Sequence, residues 1–271
     1  MNAELVRLAR TLLFVPGNRP QRFGKAQAAQ PDIVIIDLED AVGPPEKDAA
    51  REHAAAWLAA GNAAMVRINA PDTAWHAADL ALVAQHRMPV MVAKAERAEQ
   101  LERITEMAPG APLVPLIETA AGVRAVHELS AVAGVTRLAF GSIDLGNELG
   151  VNPDDRTALL LHRSLLVLAS AAAGLAPPID GVTTVFTETD TVTSDMRYAR
   201  SLGVTAKLCI HPAQVAAVHR AMAPSESEID WAGEVLAAAE HADGSAVAVN
   251  GQMIDVPVVE RARRILAAEG R

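Results

Sequence analysis

Eight short apolar runs, rich in Val, Ile and Leu, recur along the chain and restrict its fold more than any other feature. They begin near Thr11 (TLLFVP), Ile33 (IVIIDLED), Ala64 (AMVRIN) and Pro89 (PVMVAK), then near Leu113 (LVPLIET), Arg137 (RLAFGSID), Pro178 (PPIDGV) and Ala206 (AKLCIHP). Runs without polar alternation suit strands buried on both faces. Between them lie alanine-rich segments of helical spacing. Residues 46–60 place Ala50, Ala54, Trp57 and Leu58 on one stripe, and Val123, Val126 and Leu129 form another. Successive runs start 22 to 41 residues apart, the length of a strand plus a helix. Eight such units close a (β/α)8 barrel. A doubly wound open sheet is the competing architecture, but no Gly-x-Gly-x-x-Gly turn follows the first run.

The chain continues past the eighth unit. Residues 213–222 and 226–242 read as helices, and 246–256 as a hairpin about Asn250-Gly251, with a last helix after Pro257. The expected fold class is therefore α/β: a (β/α)8 TIM barrel over residues 1–223. A helical and hairpin extension, 224–271, is expected to cap the barrel or a neighbouring subunit.

Composition excludes several classes of function. Lys and Arg total 24 against 33 Asp and Glu, a net charge of −9, which argues against nucleic-acid or membrane-surface partners. The single cysteine, Cys209, rules out a disulfide framework and a cysteine-built metal cage. No apolar signal core opens the chain, and the most lipophilic stretch, 158–176, is interrupted by His162 and Arg163. A soluble, cytoplasmic protein is expected.

In such barrels the working residues gather at the carboxyl ends of strands. The polar residues that close each run are Asn18 and Arg19; Asp37, Glu39 and Asp40; Arg67 and Asn69; Lys94; Glu118; Ser142 and Asp144; Asp180; and His211. Six carboxylates on one rim would repel one another, and a divalent cation resolves that repulsion. Glu118 and Asp144 close consecutive strands, about 4.8 Å apart if paired. Together they can reach one hard ion, with waters and substrate completing an octahedron at about 2.0–2.1 Å. Oxygen ligands suit Mg²⁺, with Mn²⁺ as the other candidate, and there is no nearby Cys/His set for zinc. The alternative is that both acids are helix caps or surface residues. Arg67 reads either as a clamp on a carboxylate or developing enolate, or as an ion-pair partner of the Asp37, Glu39 and Asp40 group; the two are compatible. His211 reads as a structural histidine and Cys209 as a small core residue.

The ordered motifs also resemble a known family. They are RTLLFVPGNRP from Arg10 with Arg22, Phe23 and Lys25, DLEDAV from Asp37, VRIN from Val66 and LIET from Leu116. FGSID from Phe140, IDG from Ile179, IHP from Ile210 and GQMIDVP from Gly251 follow in order. The chain resembles the citrate lyase beta-subunit-like acyl-CoA lyases of the HpcH/HpaI aldolase superfamily. The resemblance implies a magnesium-dependent barrel enzyme, a homotrimer or hexamer. Such an enzyme cleaves or forms a 3-hydroxy-acid CoA thioester (malyl-, citramalyl- or citryl-CoA-like), giving an acyl-CoA and a 2-oxo acid. It implies Glu118 and Asp144 as metal ligands, Arg67 and Asp255 as catalytic residues, and Asp255 presented from an adjacent subunit. Asp37, Glu39 and Asp40 would support the metal's waters, while Phe14, Arg22, Lys25, Arg67 and Lys94 would hold substrate or CoA. Three other functions share the pattern. One is a citrate lyase beta subunit working on a carrier-bound citryl group. The second is a CoA-independent metal aldolase of pyruvate enolates, whose members place a histidine where Asp40 stands. The third is a non-catalytic subunit binding an acyl-CoA or oxo acid.

Overall fold

The computed structural model of the chain describes residues 1–186, 188–240, 247–249 and 252–269. All eight runs become parallel strands: β1 (Thr11–Pro16), β2 (Ile33–Asp37), β3 (Met65–Ile68), β4 (Val90–Val92), β5 (Leu113–Ile117), β6 (Arg137–Phe140), β7 (Ala176–Asp180) and β8 (Ala206–Cys209). Each pairs with the next, and β1 pairs with β8, so the sheet closes into the expected barrel. The helices before and between them are α1 (Ala3–Leu8), α2 (Phe23–Ala28), α3 (Lys47–Ala59), α4 (His76–His86), α5 (Ala98–Met107), α6 (Ala120–Arg124) and α7 (Val126–Ala131). The long step from β6 to β7 holds two helices, α8 (Ser142–Leu149) and α9 (Leu160–Ala172). Then come α10 (Thr189–Ser201) and α11 (Pro212–Met222).

The strands are apolar on both faces because each face has a partner. Inward, Leu12, Ile33, Ile35, Met65, Met91, Val114, Leu116, Ile179 and Leu208 form one buried cluster filling the barrel. Outward residues such as Leu13 and Ile36 are equally buried. The amino-terminal mouth is plugged by α1, whose Val6, with Ala9 just after it, joins the interior cluster. Arg137, the first residue of β6, is wholly buried beside this plug. It donates to the carbonyl oxygens of Ala9 (2.5 Å) and Pro177 and to Thr205 Oγ1 (2.6 Å), fastening α1 to the starts of β7 and β8.

One seam of the barrel is sparsely laddered. Strand β7 contains Pro177 and Pro178, which have no N–H to donate. Its pairs with β6 are Arg137–Ala176 and Ala139–Ile179, with a register shift between them, and with β8 they are Ile179–Ala206 and Asp180–Lys207. Side chains close the gap at the carboxyl end. Arg163 of α9 donates Nε to Asp180 (2.7 Å), while Lys207 Nζ donates to Asp180 (3.3 Å) and to Gly181 O (2.7 Å). Burial alone would push the Asp180 pKa up, but Lys207 and Arg163 outweigh it and hold this carboxyl below the ordinary carboxylate range.

Contacts divide the chain into two compact units, Met1–Ala221 and Met222–Arg271. The second contains α12 (Glu226–Glu240), the antiparallel pair β9 (Val247–Val249) and β10 (Gln252–Ile254), and α13 (Val256–Glu269). Ala232, Val235, Ile254 and Ala262 form its core. The hairpin expected over 246–256 is present as β9 and β10, although its turn, Asn250-Gly251, lies outside the described residues. Among the described residues no helix is long and apolar enough to cross a membrane.

Two outcomes are expected. Arg137→Met strands buried carbonyls and should lower unfolding stability by about 3 kcal/mol, measured by denaturant titration. The stabilisation from ionised Asp180 should be fully present above its ordinary pKa of 3.8 and lost as pH falls through the lower folded value. The melting temperature of wild type should therefore fall more steeply below that pH than that of Asp180→Asn.

Candidate functional site

A cavity of about 70 Å³ opens at the carboxyl rim of the barrel. Its polar wall is Arg67, Glu118, Ser142 and Asp144; Phe14, Leu116, Val182 and Leu208 supply an apolar floor. The residue after β5, Glu118, is only 2% exposed, which excludes a surface acid. Its Oε1 accepts the backbone N–H of Lys94 at 2.7 Å. Lys94 reaches that position with φ of +48°, in the left-handed region, where a residue with a Cβ is disfavoured. Across from it, Gly141 packs so closely that a Cβ there would collide with Glu118. Asp144 follows three residues later, in the first turn of α8, where an acid is favoured by the helix dipole.

These surroundings change the chemistry of Glu118. Burial pushes its pKa up to about 8, with Glu39 and Asp144 adding repulsion against the opposing Lys94 N–H and Arg67. At neutral pH this carboxyl holds either a proton or a cation. Among the described residues no group of three or more His, Cys, Asp and Glu side chains gathers as a metal cage. Two carboxylates facing one small cavity, one with its charge unfavourably buried, fit a hard divalent ion that keeps positions for waters and substrate. They do not fit a closed structural site.

Arg67, on β3, is anchored from behind. It donates Nε and Nη2 to the two oxygens of Asp37 (2.7 and 2.5 Å), and its Nη1 lies 3.3 Å from Glu39. Asp37 in turn accepts the backbone N–H groups of Glu39 and Ala41. Burial opposes the charge of Arg67, but Asp37 and Glu39 outweigh it and hold the pKa above the ordinary value. The guanidinium stacks over Phe14 with its carbon 4.7 Å from the ring centroid. Beneath the β2 loop, buried Lys47 donates to Leu38 O, Glu39 O and Asn69 Oδ1, and Asn69 is held by Asp79. The acidic loop is thus braced at its backbone as well as through its carboxylates.

The structure brings Phe14, Arg67, Glu118 and Asp144 to the cavity. Asp37 and Glu39 stand behind Arg67, and Asp40 is at 3.8 Å from the ammonium of Lys94. Lys94 Nζ also pairs with Glu39 at 2.8 Å, so its cation lies on the acidic loop and only its amide bonds Glu118. Arg22 and Lys25 are exposed on the β1–α2 segment. Asp255 belongs to the second unit. His211 accepts the Ala213 N–H at 3.2 Å and stacks on Phe186. Cys209 is buried, with its thiol pushed up to about 12. Sequence reasoning missed Lys207 and Arg163. The available signals were a lysine inside an apolar run and an arginine inside a lipophilic helix.

Known proteins resemble this chain over most of its length. The HpcH/HpaI aldolase/citrate lyase family matches residues 10–212. A citrate lyase subunit beta-like protein of Deinococcus radiodurans is 34% identical over 280 residues, covering 97% of this chain and 98% of that protein. A (3S)-malyl-CoA thioesterase of Cereibacter sphaeroides is 34% identical over 267 residues, covering 95% and 93%. The crystal structure of CitE from Mycobacterium tuberculosis, in complex with magnesium, acetoacetate and coenzyme A, matches with a TM-score of 0.87 and 35% identity. That match covers 98% of this chain and 100% of that one. The chain belongs to the HpcH/HpaI aldolase/citrate lyase family, among the citrate lyase beta-like enzymes.

Proposed function

We propose that the chain is a divalent-metal-dependent carbon–carbon lyase acting on a 3-hydroxy-acid CoA thioester of the malyl, citramalyl or citryl type. The observation that carries this reading is the buried Glu118 carboxyl facing Asp144 and Arg67 across one cavity. Glu118 and Asp144 would hold magnesium, or manganese in its place. When bound, that ion supplies Lewis-acid activation and a template for the 2-oxo acid oxygens.

The chain's own residues account for the rest. In the cleavage direction the 3-hydroxyl loses its proton, the adjacent carbon–carbon bond breaks, and the thioester fragment leaves as an enolate that must gain a proton at carbon. Arg67, pinned by Asp37 and stacked on Phe14, cannot swing away, so its charge is already aimed at the cavity when enolate charge develops. The apolar floor of Leu116, Val182 and Leu208 limits water and strengthens that interaction. Asp255 would deliver the carbon proton, in the trimer or hexamer that the motif implies, with the C-terminal unit capping a barrel. Arg22 and Lys25 offer local positive charge for the phosphates of CoA on an otherwise acidic protein. Lys94, with Glu39, would border the substrate.

A second reading, hydrolysis of the thioester, is favoured by the malyl-CoA thioesterase among the relatives. One assay separates the two. With malyl-, citramalyl- and citryl-CoA, cleavage should release a 2-oxo acid without free thiol, whereas hydrolysis releases the CoA thiol. Chelation should abolish 2-oxo acid release and Mg²⁺ or Mn²⁺ restore it; release that survives chelation overturns the metal role. Arg67→Lys, which cannot reproduce the forked pairing, should lower kcat/KM by about 10²–10³-fold. Asp255→Asn should lower kcat by about 10²–10⁴-fold with Mn²⁺ affinity unchanged, and unchanged turnover would remove Asp255 from the mechanism.

A further inference from the structure

The proline-thinned seam adjoins the end of β6, from which α8 and its Asp144 follow. Arg163, Asp180 and Lys207 are 8%, 2% and 2% exposed, and together they fix the end of β7 where the ladder is sparse. Lys207 also holds Gly181 O, and Gly181 packs against the next strand end: a Cβ there would collide with Ser142 Oγ and come 3.1 Å from Phe140 O. Arg163 stacks on the Phe140 ring at 4.9 Å. Its other neighbour is Tyr198, at 5.8 Å, which Arg156 covers at 5.0 Å. On the opposite side Gly141 abuts Glu118.

The backbone from Phe140 to Ser142 is therefore clamped between Glu118 and Gly181, and Asp144 follows in the first turn of α8. The cavity left among Ser142, Arg163, Asp180 and Lys207 is about 30 Å³, room for one water, so the cluster has little freedom to shift without moving Ser142.

We propose that Arg163, Asp180 and Lys207 are positioning residues for Asp144. By holding Gly181 against Phe140 and Ser142, they fix where α8 starts and hence how Asp144 stands relative to Glu118. This rests on the reading of those two acids as ligands to a divalent cation. Partners that orient metal ligands typically change affinity by about 10–100-fold when removed. A merely structural ion cluster would change stability alone.

The test is calorimetric titration of the full chain with Mn²⁺, alongside thermal unfolding. Arg163→Lys and Asp180→Asn should weaken Mn²⁺ binding at least about tenfold. Arg137→Met, at the other end of β6, serves as the stability control: it should lower the melting temperature and leave Mn²⁺ affinity within twofold. Seam variants that fold and bind Mn²⁺ within twofold of wild type overturn the positioning role. If Asp180→Asn does not fold, Arg163→Lys decides, since it keeps the charge and loses the planar stack on Phe140 and the Nε bond to Asp180. Wild type that binds no Mn²⁺ overturns the metal site itself and this role with it; affinity lost in the seam variants alone supports both.

Discussion

A parallel sheet closed on itself has one rim where every strand ends, and that constraint organises the rest of this protein. Residues that close apolar runs far apart in sequence are forced onto one shared ring. Six of them are carboxylates, on Asp37, Glu39, Asp40, Glu118, Asp144 and Asp180. A ring of like charge with a packed apolar floor is unstable unless each charge finds a partner. The arrangement can be understood as the way those partners are distributed.

The distribution is uneven. Asp37 and Glu39 are satisfied by Arg67, Lys94 and backbone amides, and Asp180 by Arg163 and Lys207. Glu118 receives one amide and remains the group whose charge is least favourably housed. Its unfavourable burial is concentrated at the cavity, where an added cation would relieve it. Arg67 is the reverse case: fully paired on one side, it keeps its remaining face toward the cavity without requiring an anion there to stay charged.

Much of this was legible in the sequence because unalternated runs and their spacing report burial directly. The strand starts and the rim residues followed from position alone, since the last polar residue of each run must reach the open end. The seam was not legible. Pro177 and Pro178 argue against a central strand, and nothing local shows that Arg163, seventeen residues before Asp180, replaces the missing ladder bonds. Lys94 is a second case. The resemblance marks it as a substrate or CoA contact, but nothing in the pattern shows that its amide bonds Glu118 while its ammonium pairs with the acidic loop, a division that depends on a backbone angle no pattern encodes.

That division separates two kinds of inheritance at one position. The group that steadies Glu118 belongs to the main chain, so side-chain replacement at 94 cannot delete it, proline excepted, and a glycine or asparagine would adopt the same turn with less strain. The ammonium, by contrast, belongs to the side chain and bears on Glu39 and Asp40 of the acidic loop. Lineages carrying this barrel could therefore retune charge at the mouth through residue 94 without disturbing the carboxylate beneath it.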